Sequence, residues 1–139
     1  MKALALLPGS TRGPVLRLDR PLSFWGGVDP ASGRLLSGPG ESIAGAVLMV
    51  PEAIGSSSSG AVLLELLRNG MAPAALVLGR IDAILGLGIL AAGEMGWPTI
   101  PLVILAAADQ TRFETGEMVE IDSTGLIEPA GMVLPTHRP

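Results

Sequence analysis

The stretch Ala46-Val-Leu-Met-Val50, then Pro51-Glu-Ala-Ile-Gly-Ser-Ser-Ser-Ser-Gly60, then Ala61-Val-Leu-Leu-Glu-Leu-Leu67 decides the fold. A short apolar run bounded by Gly45 and Pro51 reads as a buried strand. The apolar pattern after Gly60 reads as a helix. Glycine and four hydroxyls therefore lie where a strand hands over to a helix. The first turn of a helix has unpaired N–H groups and the positive end of the dipole. That place suits a carboxylate, a phosphate or a developing alkoxide. A Gly/Ser run is also the composition of a linker, and serine caps helices for structural reasons alone. This run is short and lies inside apolar core sequence, which points away from a linker.

Outward from that stretch, strands and helices alternate. Gly60 to Asn69 is apolar at residues 61–64, 66 and 67, with Glu65 and Arg68 on the remaining face and Gly70 as its stop. Ala74 to Leu78 is a buried strand, Ala83 to Glu94 a second helix of small residues, and Ile100 to Leu105 another strand. Strand–helix–strand–helix–strand implies parallel crossovers. The N-terminal half reads as short strands at Lys2–Leu7, Pro14–Leu18 and Gly33–Leu36. Met118–Ile121 and Leu126–Glu128 form a hairpin across Asp122-Ser-Thr-Gly125. The expected fold class is a single α/β domain over residues 1–139, with β-barrel-like strands around parallel βαβ crossovers. The C-terminal tail from about residue 132 is expected to fray.

The composition narrows the function. Hydrophobic residues make up 48% of the 139 and charged residues 16%, with a mean hydropathy of +0.53. That is apolar enough to suggest a covered partner surface besides a core. The net charge is −4 and the nine basic residues are scattered, which excludes a nucleic-acid stripe. There is no cysteine, so no disulfide or thiolate metal site arises from this chain. The lone histidine, His137, lies near the end and is read as a tail residue. Pro8-Gly9 cuts short the apolar start, so no signal peptide is expected. Charges and prolines interrupt the apolar region 81–108, so no membrane span is expected. A soluble cytoplasmic protein is the expectation.

A second segment, Pro21-Leu-Ser-Phe-Trp-Gly-Gly-Val-Asp-Pro30, holds two of the four aromatic residues. Gly26-Gly27 lets a ligand approach the main chain, and Asp29-Pro30 favours a turn. A Trp-anchored turn packed on the core accounts for it equally well. A serine of the 56–59 run could accept a proton only if its alkoxide were stabilised in a water-excluded site. No histidine stands nearby in sequence to form a Ser–His pair, which disfavours hydrolase chemistry. Arg12, Arg17, Arg34, Arg68, Arg80 and Arg112 could clamp an anion, although most read as surface charges, as do Asp109 and Glu114.

Leu22-Ser-Phe-Trp-Gly-Gly-Val-Asp29, the strand Val47–Val50, Gly55-Ser-Ser-Ser-Ser59 before Leu63-Leu-Glu-Leu66, and Pro73-Ala-Ala-Leu-Val-Leu78 together resemble the swivel-domain small subunit of aconitase X-type dehydratases. The resemblance implies a swivelling β/β/α domain that closes over a larger catalytic subunit, and a small-molecule carboxylate substrate. It implies an iron–sulfur cluster on that large subunit, with no cofactor or metal in this chain. Aconitases proper carry Gly-Ser-Ser-Arg in the corresponding loop, with the first serine as base. That pattern makes Ser56 the catalytic proton acceptor. The wider resemblance implies that Ser23, Trp25, Gly26, Gly27 and Asp29 of the 23–29 loop, with Gly55, Ser57 and Ser58, are substrate-binding. The chain departs at Ser58, where the pattern has arginine, so the carboxylate clamp must come from backbone N–H groups or from the partner. Ala53-Ile54 also departs from the Gly or basic residue usual before Gly55.

Two activities go with such proteins: dehydration of cis-3-hydroxy-L-proline in bacteria and of mevalonate 5-phosphate in archaea. A single lysine and few charge networks lean toward the bacterial one. Two readings of other classes stand beside the enzyme. In one, the chain is a non-catalytic lid whose serines only cap a helix. In the other, it is an anion-binding domain that uses Gly55–Ser59 as a nest.

Overall fold

The structure, a computed structural model, describes residues 1–38 and 40–131. In chain order the elements are β1 (Leu4–Leu7), β2 (Thr11–Arg17), β3 (Leu22–Ser23), α1 (Phe24–Gly27), β4 (Val47–Val50), β5 (Ala53–Ile54), α2 (Ser58–Asn69), β6 (Ala75–Leu78), α3 (Ala83–Glu94), β7 (Leu102–Ile104), α4 (Ala107–Gln110), β8 (Met118–Ile121) and β9 (Ile127–Pro129). The expected tail from about 132, with His137, lies outside the described residues.

Seven strands form one sheet in the order β1-β7-β6-β4-β2-β8-β9. β2, β4, β6 and β7 run parallel, joined from β4 onward by α2 and α3 as crossovers. β1, β8 and β9 add antiparallel neighbours. The two ends of the sheet then meet. Lys2 bridges Leu126, Ala3 N donates to Gly125 O at 2.9 Å, and Ile127 N donates to Met1 O at 2.8 Å. The sheet is therefore curled until its ends pair, which gives the expected barrel-like strands.

Alternation along the strands divides the interior into two cores. Val47 and Met49, Ala75 and Val77, and Val103 point into the curl, with Val119, Ile121 and Ile127. Leu48 and Val50, Leu76 and Leu78, and Leu102 face Leu63, Leu66 and Leu67 of α2 and Leu85 and Ile89 of α3. Both faces of the central strands are buried, which is why they read as unbroken apolar runs. α3 starts where the Asp82 carboxylate accepts Leu85 N at 2.9 Å, and α2 ends at Gly70 with φ +72°. The two helices touch closely: a Cβ on Gly88 would stand 3.0 Å from Gly60 O. Among the described residues no helix is long and apolar enough to cross a membrane.

Three expectations change. Gly33–Leu36 is not a strand; only Arg34 and Leu35 make isolated bridges, to Ser42 and Val28, because turns at Gly33 and after Ser37 cut the segment short. α2 begins at Ser58, two residues before the expected start. The two-residue parallel pair β3–β5 and the short α4 carry too little pattern to be read from sequence.

The parallel strands are pinned at their carboxyl ends. A Cβ on Gly79 would collide with Pro51 O. The buried Gln110 donates through Nε2 to Val50 O at 2.9 Å and Leu105 O at 3.0 Å. Gly79→Ala is expected to cost about 1–3 kcal/mol in urea unfolding through overpacking; an unchanged midpoint contradicts this contact.

The β8–β9 turn is held by Asp122, whose carboxylate accepts Thr124 Oγ1, Thr124 N at 2.8 Å and Leu126 N at 3.2 Å. These bonds, the Thr124 hydroxyl first, lower its pKa from the ordinary 3.8. A depressed carboxylate supports the turn above the ordinary value and loses that support as pH falls through the lowered one. The Thr124 and Leu126 amide resonances are expected to titrate with a midpoint below 3.8. That acid step should vanish in Asp122→Ala.

Candidate active site

The chain leaves β4 at Val50, turns at Pro51 and runs back along β3. Leu22 pairs with Ala53 and Ser23 with Ile54, and Leu22 N donates to Glu52 O at 3.1 Å. This small pair brings together the two segments that stood apart in sequence. Ser23 faces Gly55, where a Cβ would collide with Ser23 Oγ, and φ is +109°. Only glycine satisfies both conditions.

After Gly55 the serines turn into α2. Ser59 N donates to Ser56 O at 3.0 Å and Gly60 N to Ser57 O at 3.2 Å. Ser56 Oγ accepts Ser58 N at 3.2 Å, which draws the helix start back to Ser58. Ser56 and Ser57 are exposed, Ser58 is half-buried and Ser59 is buried. The Ser56 hydroxyl thus lies open to a ligand while one helix-terminal N–H points at its oxygen. Developing negative charge on that oxygen is stabilised by the N–H and by the helix dipole.

Ser59 ties the two segments together. Its Oγ accepts Trp25 N at 3.4 Å, while Ser23 Oγ donates to Trp25 O at 2.8 Å. Trp25 is held by its main chain, and its side chain is 61% exposed. Beside it, Arg20, Ser23, Gly26, Gly27 and Ser37 line a cleft of about 290 Å³ with Leu18, Pro21, Leu22 and Leu35. Ser57 lines a second, apolar groove of about 390 Å³ with Gly60, Ala61, Leu64, Ile84, Leu87 and Gly88.

The structure therefore gathers Ser23, Trp25, Gly26 and Gly27 on one cleft, with Gly55, Ser56, Ser57 and Ser58 beside it across Ser23. Asp29 is not on that cleft. Its carboxylate accepts Ala31 N at 3.1 Å and Ser32 Oγ at 2.8 Å, which closes the turn after it. Sequence reasoning missed Ser59 and Arg20. Ser59 was legible, because residues 59, 62, 63, 66 and 67 make one buried helical stripe. Arg20 carries no such signal. Among the described residues there is no group of three or more His, Cys, Asp or Glu that could hold a metal ion.

The sequence model of the aconitase X swivel domain matches residues 1–129. The chain belongs to this family. It is 40% identical over 112 residues to the cis-3-hydroxy-L-proline dehydratase of Hypocrea jecorina, covering 78% of this chain and 19% of that protein. It is 33% identical over 133 residues to the phosphomevalonate dehydratase small subunit of Thermococcus onnurineus, covering 92% of this chain and 96% of the subunit. The chain thus spans about a fifth of the length of the hydroxyproline dehydratases it matches and nearly all of the small subunit. The crystal structure of Thermococcus kodakaraensis aconitase X in its holo-form superposes with a TM-score of 0.81 at 30% identity, covering 94% of this chain and 97% of that one. The curled mixed α/β fold is that of this family.

Gly55→Ala places a side chain in the Ser23 contact and in a backbone region L-residues avoid. It is expected to lower stability by about 1–3 kcal/mol and to shift the amide resonances of Ser23, Trp25 and Ser56. Unmoved resonances would show that the two segments are not coupled through this contact.

Proposed function

We propose that this chain is the small, swivelling subunit of an aconitase X-type dehydratase, and that it acts on cis-3-hydroxy-L-proline with Ser56 as proton acceptor. The observation that carries this reading is the exposed Ser56 hydroxyl at the start of α2, accepting Ser58 N–H. The bond to the hydrogen α to the carboxylate breaks. The proton passes to the Ser56 alkoxide and restores the neutral hydroxyl, while the electron pair forms the double bond and the β-hydroxyl leaves as hydroxide, which takes a proton on the partner's side of the site to become water. An ordinary serine is far too weak a base for this. The Ser58 N–H, the helix dipole and exclusion of water by a closing partner supply the missing stabilisation.

The partner is a large subunit, which completes a site that this chain leaves open. Apolar side chains exposed near the loop support such a closure: Leu87 and Ile81 on and before α3, and Ile54 on β5. The iron–sulfur cluster belongs to that subunit in this reading. This chain has no cysteine and its residues do not fit a cluster, so no step on this chain runs through one.

The match to small subunits along nearly their whole length favours a second substrate, mevalonate 5-phosphate. The greater identity to the hydroxyproline enzyme supports the first. So does the sparse surface charge: one ion pair, Arg17 with Asp19, is present among the described residues, where heat-adapted relatives would be expected to build networks.

The test is reconstitution with the large subunit and assay on both substrates. Ser56→Ala is expected to assemble normally and to lose about a hundredfold or more of kcat, the usual contribution of a general base. Near-normal turnover would instead make the chain a lid whose serines only start a helix, and Trp25→Ala should then weaken assembly.

A further inference from the structure

The loop of residues 51–64 carries one charge, Glu52. Removal of a proton α to a carboxylate drives negative charge toward that carboxylate, so the site needs a cation. The cleft next to the loop contains one. Among the described residues, Arg20 is the only charged one lining the cleft with Ser23, Trp25, Gly26 and Gly27. Its one protein hydrogen bond among the described residues, from Nη2 to Ser37 Oγ, is 3.3 Å long and exposed. Three other arginines are engaged elsewhere. Arg17 binds Phe113 O and Asp19, Arg34 binds Gly40 O, and Arg68 lies 5.7 Å over the Trp97 ring. Arg12 stands in a different hollow with Glu120, Asp122 and Glu128.

The rest of the cleft leaves room for a small anion. Trp25 offers an exposed ring, and the place where a Gly26 side chain would stand is open space. Ser23, one wall of the cleft, is the residue pressed against Gly55, so the cleft ends where the serine loop begins. Asp19 and Glu41 border the hollow on the other side of Arg20. Asp19 is paired there with Arg17.

Resting on the reading of Ser56 as base, we infer that Arg20 binds the oxyanion of the substrate through its guanidinium fork. The oxyanion is the carboxylate of a hydroxy acid, or a phosphate where the substrate carries one. Arg20 then holds the oxyanion of the ligand whose α-hydrogen faces Ser56, with Ser23 between the two residues.

The experiment uses the reconstituted two-subunit enzyme. Arg20→Gln is expected to raise KM for cis-3-hydroxy-L-proline about ten- to a hundredfold, the range for lost hydrogen bonds to a charged group, with little change in thermal unfolding. Guanidinium ion added to Arg20→Ala is expected to restore part of the lost kcat/KM and to leave the wild type unaffected. Substrate is expected to shield Arg20 from phenylglyoxal, read by peptide mapping. A KM rise confined to mevalonate 5-phosphate would assign the guanidinium to the phosphate. An unchanged KM on both substrates, with turnover still abolished by Ser56→Ala, overturns the role of Arg20 and leaves the base intact. Turnover that survives Ser56→Ala overturns the underlying reading. Shielding of Arg20 then decides alone whether the cleft binds the anion.

Discussion

The carbonyl of Val50 accepts two donors, Gly79 N at 3.1 Å and Gln110 Nε2 at 2.9 Å. One residue on, Pro51 O lies so close to Gly79 that no side chain fits between them. Leu105 N then closes onto Leu78 O. These few atoms lace together the carboxyl ends of β4, β6 and β7. The loop with the serines departs from this knot. Held there, it has to turn back on itself, and it meets β3 on the way. The site is thus positioned by backbone contacts inside the protein, while its hydroxyls stay at the surface. In open parallel sheets ligands gather at this end of the strands for the same geometric reason.

Two-sided burial explains the apolar composition only in part. The central strands use their hydrophobic residues fully, on both faces of the sheet. α3 does not. It is apolar on nearly every side, yet Leu87 and Leu90 are more than half exposed. A helix with that pattern suits an environment covered on both sides. Its position beside α2, which the serine loop leads into, sets apolar surface next to that loop.

How much was legible follows from the length of each pattern. α3 was readable to the residue, since eleven consecutive apolar and small residues follow Asp82 and end at Glu94. The buried strands were readable because branched residues crowd four positions between turn signals. The β3–β5 pair was not, because two residues in each strand leave no period to detect. At the candidate site, the serines, glycines and Trp25 stood out in the sequence. Their assembly did not, since it depends on Gly55 touching Ser23 across a gap of more than thirty residues. Asp29 looked like a ligand group because an acid beside Gly-Gly and Pro fits either a site or a turn. The structure shows it serving a turn. Arg20, the proposed anion clamp, did not stand out because an arginine between Asp19 and Pro21 has no local context that marks it.

The seam at which Met1–Ala3 meet Gly125–Ile127 also bears on how the protein comes into being. Contacts so distant along the chain carry a large loop-closure cost and slow the search for the folded state. During synthesis, β1 and β8 keep unpaired edges until β9 and the residues before it have cleared the ribosome. Exposed edges of this kind pair readily with other chains. The growing chain therefore gains from shielding until β9 is made, and the seam cannot close before then.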